Sequence, residues 1–147
     1  MNRVAAGCQL TGKCLLAYSA VRMNEYMLRV LNRADHQAAW SVERHREFVK
    51  RCEVYIQSLQ RKGQLGSAQP LAKQGAVLSK HGADWRVEPL DASHEIQVGY
   101  YHVRAENLQD AIEIAKGNPE FEYSTTARVE VRPLKESEET TGFVYPR

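Results

Sequence analysis

The sequence predicts an α+β fold of the ferredoxin-like type, with the element order βαββαβ and an antiparallel sheet. Three observations predict it: an apolar strand over residues 26–32, a long amphipathic helix that begins at Ser41, and a strand, capped helix and strand within residues 98–134. Two helices cover only one face of such a sheet. We therefore expect the other face to pair with its equivalent in a second copy, which forms a homodimeric α+β barrel.

Composition limits the class of protein. The 147 residues suffice for one domain, and 43% hydrophobic and 26% charged residues are typical of a globular protein. A net charge of +2 does not indicate nucleic-acid binding. No apolar run reaches the roughly 18 residues of a membrane span. Neither a nucleic-acid nor a membrane partner is expected.

The three cysteines are Cys8, Cys14 and Cys52, and their spacing matches no metal site or disulfide framework. We expect free thiols in a reducing compartment, hence a cytoplasmic protein without metal or cofactor. Residues 1–22 are predicted to form an N-terminal extension, 23–134 the domain, and 135–147 a C-terminal tail. Its Phe143, Val144 and Tyr145 are expected to dock on a neighbouring subunit.

The first helix is predicted from its cap and its apolar stripe. Ser41 is a favourable N-cap, Glu43 follows in the first turn, and Gly63 is a typical helix end. The stripe at helical spacing consists of Phe48, Cys52, Tyr55, Ile56 and Leu59. Its basic residues alternate with acids, so pairs such as Glu47–Arg51 are expected on a solvated face.

The middle of the chain is predicted to contain a turn over residues 68–75 and then a hairpin. Residues 76–80 and 85–89 flank "HGAD", which is suited to a hairpin turn. Residues 95–105 form the longest predicted strand.

The second helix is predicted to be capped by Asn107 with Asp110 at its third position, and to end at Gly117 and Pro119. Its buried face is expected to carry Leu108, Ala111, Ile112 and Ala115. The last strand alternates, with Ala127, Val129 and Val131 on one side and Arg128, Glu130 and Arg132 on the other.

Two segments, "GYYHVRAENLQDAIEIAKGNP" and "VEVRPL", resemble the YCII-related family, in particular the branch named for a D-G-P-F motif. The likeness extends over residues 23–134. The resemblance implies the dimeric α+β barrel. Most members of the family have no established function, and one acts in the breakdown of chlorinated aromatics. Some relatives are thought to use a His–Asp pair, but this chain lacks the motif's Asp. In place of D-G-P-F it has Val87, Glu88, Pro89 and Leu90.

His102 is the first candidate for chemistry. Two-residue alternation places it on one face with Ile96, Val98 and Tyr100, so it would face the barrel as a general base or ligand donor. The alternative is a core histidine bonded to tyrosine or backbone.

Charged and aromatic residues supply the other candidates. Arg128 and Glu130, joined by Arg29 from the first strand, would either bind an anion or form intramolecular ion pairs. Tyr100 and Tyr101 point to opposite faces, and either hydroxyl is suited to orient a ligand. If the loop after the first strand folds over the mouth of the barrel, His36, His45 and Glu95 are expected to form a second, smaller site.

Three functions follow as expectations. The first is a protein that binds a small organic ligand in the barrel, with Arg29, Tyr100, Tyr101, His102, Arg128 and Glu130 around it. The second is a small lyase or hydrolase that uses a histidine base such as His102 on an aromatic or carbonyl substrate. The third is a structural protein with a filled barrel.

Overall fold

The computed structural model describes residues 20–146. Six strands and three helices follow in chain order: β1 (Asn24–Arg33), α1 (Val42–Arg61), β2 (Leu65–Pro70), β3 (Ala76–His81), β4 (Asp84–Pro89), β5 (Glu95–Ala105), α2 (Leu108–Lys116), α3 (Glu120–Tyr123) and β6 (Arg128–Pro133). The four-stranded sheet has the order β2-β5-β1-β6, and β3 and β4 form a separate hairpin. All pairings are antiparallel. This α+β architecture is compatible with a ferredoxin-like fold.

The core lies between the sheet and α1 and α2. Along β1 buried and half-buried residues alternate, and Tyr26, Leu28 and Val30 face the helices. Leu28 and Val103 are fully buried at the centre. The predicted alternation of the last strand is confirmed, because Val129 packs against this core. The face of the sheet that carries no helix is called the open face below.

The predicted start and end of α1 are confirmed. The Ser41 hydroxyl accepts a hydrogen bond from the backbone N–H of Arg44 at 3.1 Å. Gly63 follows the helix with a φ of +67°, which favours glycine. The expected Glu47–Arg51 pair is wrong: Arg51 donates instead to Glu122, at 2.6 and 3.1 Å.

The second strand of the sheet was not predicted. Residues 68–75 were expected to form a turn, but residues 68–70 belong to β2. This short edge strand lacks an apolar alternation, and it forms because β5 offers a free edge for pairing. Gly66 permits the close approach, since a Cβ there would lie 2.9 Å from His102 Nδ1.

A β-bulge in β5 overturns the predicted facing of its side chains. Val30 pairs with Gly99 and Leu31 with Gln97, so Val98 is skipped. As a result Tyr100 and His102 lie on the open face, whereas Ile96 and Val98 lie on the helix side. The shared face expected for these four residues is therefore wrong.

The caps of α2 are confirmed and its buried face is corrected in part. Asn107 Oδ1 accepts from the backbone N–H of Asp110 at 3.0 Å, and the two side chains bond at 2.9 Å. Ala111 and Ala115 are buried, but Leu108 is 46% exposed. Ile114 packs against the core in its place.

The hairpin formed by β3 and β4 is as predicted, with Gly82 at a φ of +61° in its turn. Leu78, Trp85 and Val87 are exposed on its surface. In the tail, an isolated antiparallel β-bridge joins Ser137 to Val144, and docking of the tail remains a prediction. The predicted extension over residues 1–22 lies mostly outside the described residues. Within the described part of the chain, no helix is both long and apolar enough to cross a bilayer.

Candidate functional site

The predicted site residues separate onto two sides of the sheet. Arg29, Tyr100, His102 and Glu130 lie on the open face, as does Arg128, because they are in register across β6, β1 and β5. Tyr101 lies on the helix side, with its ring centroid 5.3 Å from that of Tyr55. The sheet thus divides the proposed group, and no single pocket contains all six residues.

Ion pairs within the chain occupy the arginines of the open face. Arg29 Nη1 lies 3.2 Å from both carboxylate oxygens of Glu130, and its Nε donates to Gln97 at 3.1 Å. Arg128 donates to Glu95 at 2.5 and 2.8 Å, and this hydrogen bond lowers the pKa of the Glu95 carboxyl. Of the two alternatives, anion binding and ion pairs within the chain, the structure therefore shows ion pairs for Arg29 and Arg128.

His102 has an acidic neighbour but no hydrogen bond at one ring nitrogen. Its Nε2 lies 3.5 Å from Glu25 Oε1, which also lies 3.9 Å from Arg104 Nε. Within residues 20–146 that nitrogen has no hydrogen-bond partner. This arrangement places His102 in a half-buried cluster of charges on the open face.

A cavity of about 400 Å³ lies on the other side, between α1 and the sheet. Apolar side chains from α1, β1, β2 and β5 form most of its wall, namely Val30, Phe48, Val49, Ile56, Ala68 and Val98. Its polar lining residues are His36, Gln37, His45, Cys52, Glu53, Gln69, Lys73, Tyr101, Asn118 and Glu120. An apolar wall with a few grouped polar atoms is typical of small-molecule sites.

The turn after β1 positions His36. Its backbone N–H bonds to the carbonyl of Arg33 at 3.1 Å, and its Nδ1 lies 2.7 Å from the same oxygen. Because a carbonyl only accepts, Nδ1 carries a proton and donates it. Nε2 then faces Glu120 Oε2 at 3.5 Å, and the His36 side chain is only 4% exposed.

Glu120 comes directly after Pro119, the proline that follows the end of α2, and it is 8% exposed. Its Oε2 accepts from Asn32 Nδ2 at 3.0 Å, and its backbone N–H donates to Asn118 Oδ1 at 3.0 Å. That second bond orients the Asn118 amide. Asn118 Nδ2 is left as a buried donor without a partner in the described part of the chain.

Asn32 connects this group to the start of β6. It is fully buried at the end of β1, and its Oδ1 accepts from Ser124 Oγ at 3.2 Å and Thr126 Oγ1 at 2.7 Å. The same oxygen accepts from the backbone of Arg33 at 2.9 Å. Asn32 therefore holds Glu120 and the turn of His36 in one network.

Cys52 and Tyr101 are half-buried in the same wall. Burial raises the pKa of the Cys52 thiol to about 11, and the charge of Glu120 contributes to the rise. Burial likewise raises the pKa of the Tyr101 hydroxyl. Both groups are therefore protonated at neutral pH, which excludes Cys52 as a nucleophile there.

Cys52 is expected to react slowly with alkylating agents. Its pKa of about 11, against a usual 9.0, lowers the thiolate fraction about 100-fold near neutral pH. We expect iodoacetamide to label Cys52 about 100 times more slowly than it labels glutathione at pH 7.5, measured by peptide mass spectrometry. The gap should narrow as the pH approaches 11, and equal rates at pH 7.5 would contradict the burial argument.

The expected grouping of His36, His45 and Glu95 is found only for the two histidines. His36 and His45 both line the cavity, and each ring contacts that of Trp40. Glu95 does not join them, because it pairs with Arg128. Glu120 stands in its place. The sequence offers only one signal for Glu120, an acid directly after the proline that stops a helix.

A comparison with models of known protein families finds no match for this sequence. A search of curated proteins finds no relative. Among residues 20–146, no group of three or more histidine, cysteine, aspartate or glutamate side chains is arranged to hold a metal ion.

Proposed function

We propose that this chain binds a small organic ligand in the cavity between α1 and the sheet. The observation that carries the proposal is that two residues of the cavity wall, His36 and Asn118, each have a buried side-chain nitrogen (Nε2 and Nδ2) without a hydrogen-bond partner among the described residues. Buried polar atoms are normally paired, because an unpaired one costs about 1–3 kcal/mol. A polar group of a ligand would supply the missing partners while its apolar part contacts the α1 wall.

The ligand site is thus proposed on the helix side rather than inside a barrel. The open-face residues Arg29 and Glu130 bond to each other, whereas His36 Nε2 and Asn118 Nδ2 on the helix side have no hydrogen-bond partner among the described residues. This placement keeps ligand binding and subunit pairing on opposite faces of the sheet.

The chain is further proposed to be a cytoplasmic homodimer of the α+β barrel type, similar to the YCII-related family. Support comes from the open face, where Met27, Leu31 and Tyr100 are half-buried among charged side chains. A sheet covered by helices on one side only buries its second face most simply against a second copy.

A neutral dye tests ligand binding. N-phenyl-1-naphthylamine should fluoresce more strongly when it enters the apolar cavity, and Ala68→Phe should weaken its binding at least about tenfold because the ring fills the space. Ala92→Phe is the matched control, since Ala92 is exposed and does not line this cavity. Titrations followed by fluorescence measure both affinities.

The outcomes separate the alternatives. Binding that is lost in Ala68→Phe and kept in Ala92→Phe supports the proposal. Equal binding by the two variants would place the dye elsewhere. No binding by the unmodified chain would favour the structural protein with a filled interior.

A further inference from the structure

We infer that the cavity takes a carbonyl compound with an ionisable C–H bond next to the carbonyl, and that His36 transfers that proton. The inference rests on the proposed function, because it names the ligand class and the reaction for the same cavity. Three groups carry it: the Asn118 amide, the His36 imidazole and the Glu120 carboxyl.

Asn118 supplies a donor for an oxygen. Its Oδ1 is occupied by the backbone N–H of Glu120 at 3.0 Å, so the amide cannot rotate without loss of that bond. Its Nδ2 is buried and unpaired in the described chain, and Asn118, which is only 2% exposed, belongs to the cavity wall. A carbonyl oxygen accepts from such a donor, and the bond strengthens as negative charge develops on the oxygen.

His36, which also belongs to the cavity wall, supplies a base. Since Nδ1 donates to the Arg33 carbonyl at 2.7 Å, Nε2 is the nitrogen that can take up a proton. Glu120 Oε2 lies 3.5 Å from Nε2 and stabilises the imidazolium that forms. Glu120 is itself held by Asn32 at 3.0 Å, so it acts as a positioning residue.

The charges of the site favour a neutral ligand. A ligand carboxylate would lie beside the buried Glu120, and among the described residues of the cavity wall the only lysine or arginine is Lys73, which is exposed. A neutral carbonyl compound avoids this repulsion and still accepts from Asn118.

The proton transfer balances without a further reactant. The C–H bond breaks, its proton passes to His36 Nε2, and its electron pair forms the C=C bond of an enolate whose oxygen bonds to Asn118. The proton then returns from Nε2 to the same carbon or to a conjugated one. The first case gives isotope exchange when the proton on Nε2 has been replaced by a solvent deuteron before the return, and the second gives an isomerisation.

The test uses 2-tetralone, which has ionisable C–H bonds beside its carbonyl, and tetralin, which lacks the carbonyl. Ligand-observed NMR measures binding of both compounds, and loss of the 2-tetralone signal in D₂O measures exchange. We expect exchange at least about 100-fold faster than in buffer, the usual contribution of a general base. His36→Gln should abolish this acceleration.

Matched variants isolate each role. Asn118→Asp replaces the donor and should weaken 2-tetralone binding without loss of tetralin binding, which a merely structural role would not produce. Glu120→Gln should slow exchange and keep the Asn32 bond. His81→Gln, in the hairpin and outside the cavity, should leave exchange unchanged. Circular dichroism and amide NMR spectra establish that each variant is folded.

The outcomes distinguish the two proposals. Exchange that depends on His36 supports the inference. Binding of both compounds with exchange at the buffer rate, or exchange that survives His36→Gln, overturns the inference and leaves ligand binding intact. Binding of neither compound overturns the proposed function itself.

Discussion

Replacement Asn32→Asp is expected to destabilise the protein by about 3–5 kcal/mol at neutral pH. Asn32 is fully buried, and its Nδ2 donates to Glu120 Oε2 at 3.0 Å. The substitution replaces this donor by an oxygen and brings two carboxyl groups into contact. One of them must then hold a proton or remain as an uncompensated buried charge.

The loss of stability caused by Asn32→Asp should depend on pH. Burial and the nearby Glu120 raise the pKa of the new carboxyl in the folded state. Its destabilising effect is therefore fully present above that raised pKa. It shrinks as the pH falls, because the protonated group again donates to Glu120.

Urea unfolding at pH 7.5 and pH 5 measures both effects. Asn24→Asp is the matched control: Asn24 donates to the backbone oxygen of Glu106 at 2.7 Å from an exposed position. The free energy of unfolding of Asn24→Asp should fall by no more than about 1 kcal/mol at either pH. Equal losses for the two variants, or a pH-independent deficit for Asn32→Asp, would contradict the network around Glu120.

The parts of the fold that local chemistry determines were predictable. Ser41 and Asn107 cap their helices as expected, because a side-chain oxygen bonds to a nearby backbone N–H. The alternation in β6 likewise identifies its buried side. By contrast, β2 depends on an edge of β5 that is distant in sequence, and no pattern in residues 65–70 signals it.

The candidate site was less predictable for a geometric reason. One skipped residue in β5, Val98, moves Ile96 to the side opposite Tyr100. Simple alternation cannot reveal such a bulge, because Gly99 tolerates it without any change in apolar pattern. Glu120 was missed because its environment comes from Asn32 and His36, which lie more than 80 residues earlier.

The second large effect concerns subunit pairing, which we propose through the open face. Leu31 lies in the central strand β1, opposite Gln97 on one side and Arg128 on the other. Leu31→Glu would place one carboxylate from each copy in a shared interface. Because Arg128 is already bonded to Glu95, each new carboxylate would be desolvated without a partner of its own, and we expect the dissociation constant to rise at least about 100-fold.

Light scattering coupled to size exclusion measures this change at micromolar concentration. The unmodified protein should elute at twice the chain mass of 16.7 kDa, and Leu31→Glu at the chain mass. Val54→Glu is the control, since Val54 is exposed on α1, away from the open face. If the unmodified protein were monomeric, the proposed barrel would be contradicted. The proposed ligand site between α1 and the sheet would be unaffected, because its walls come from one chain.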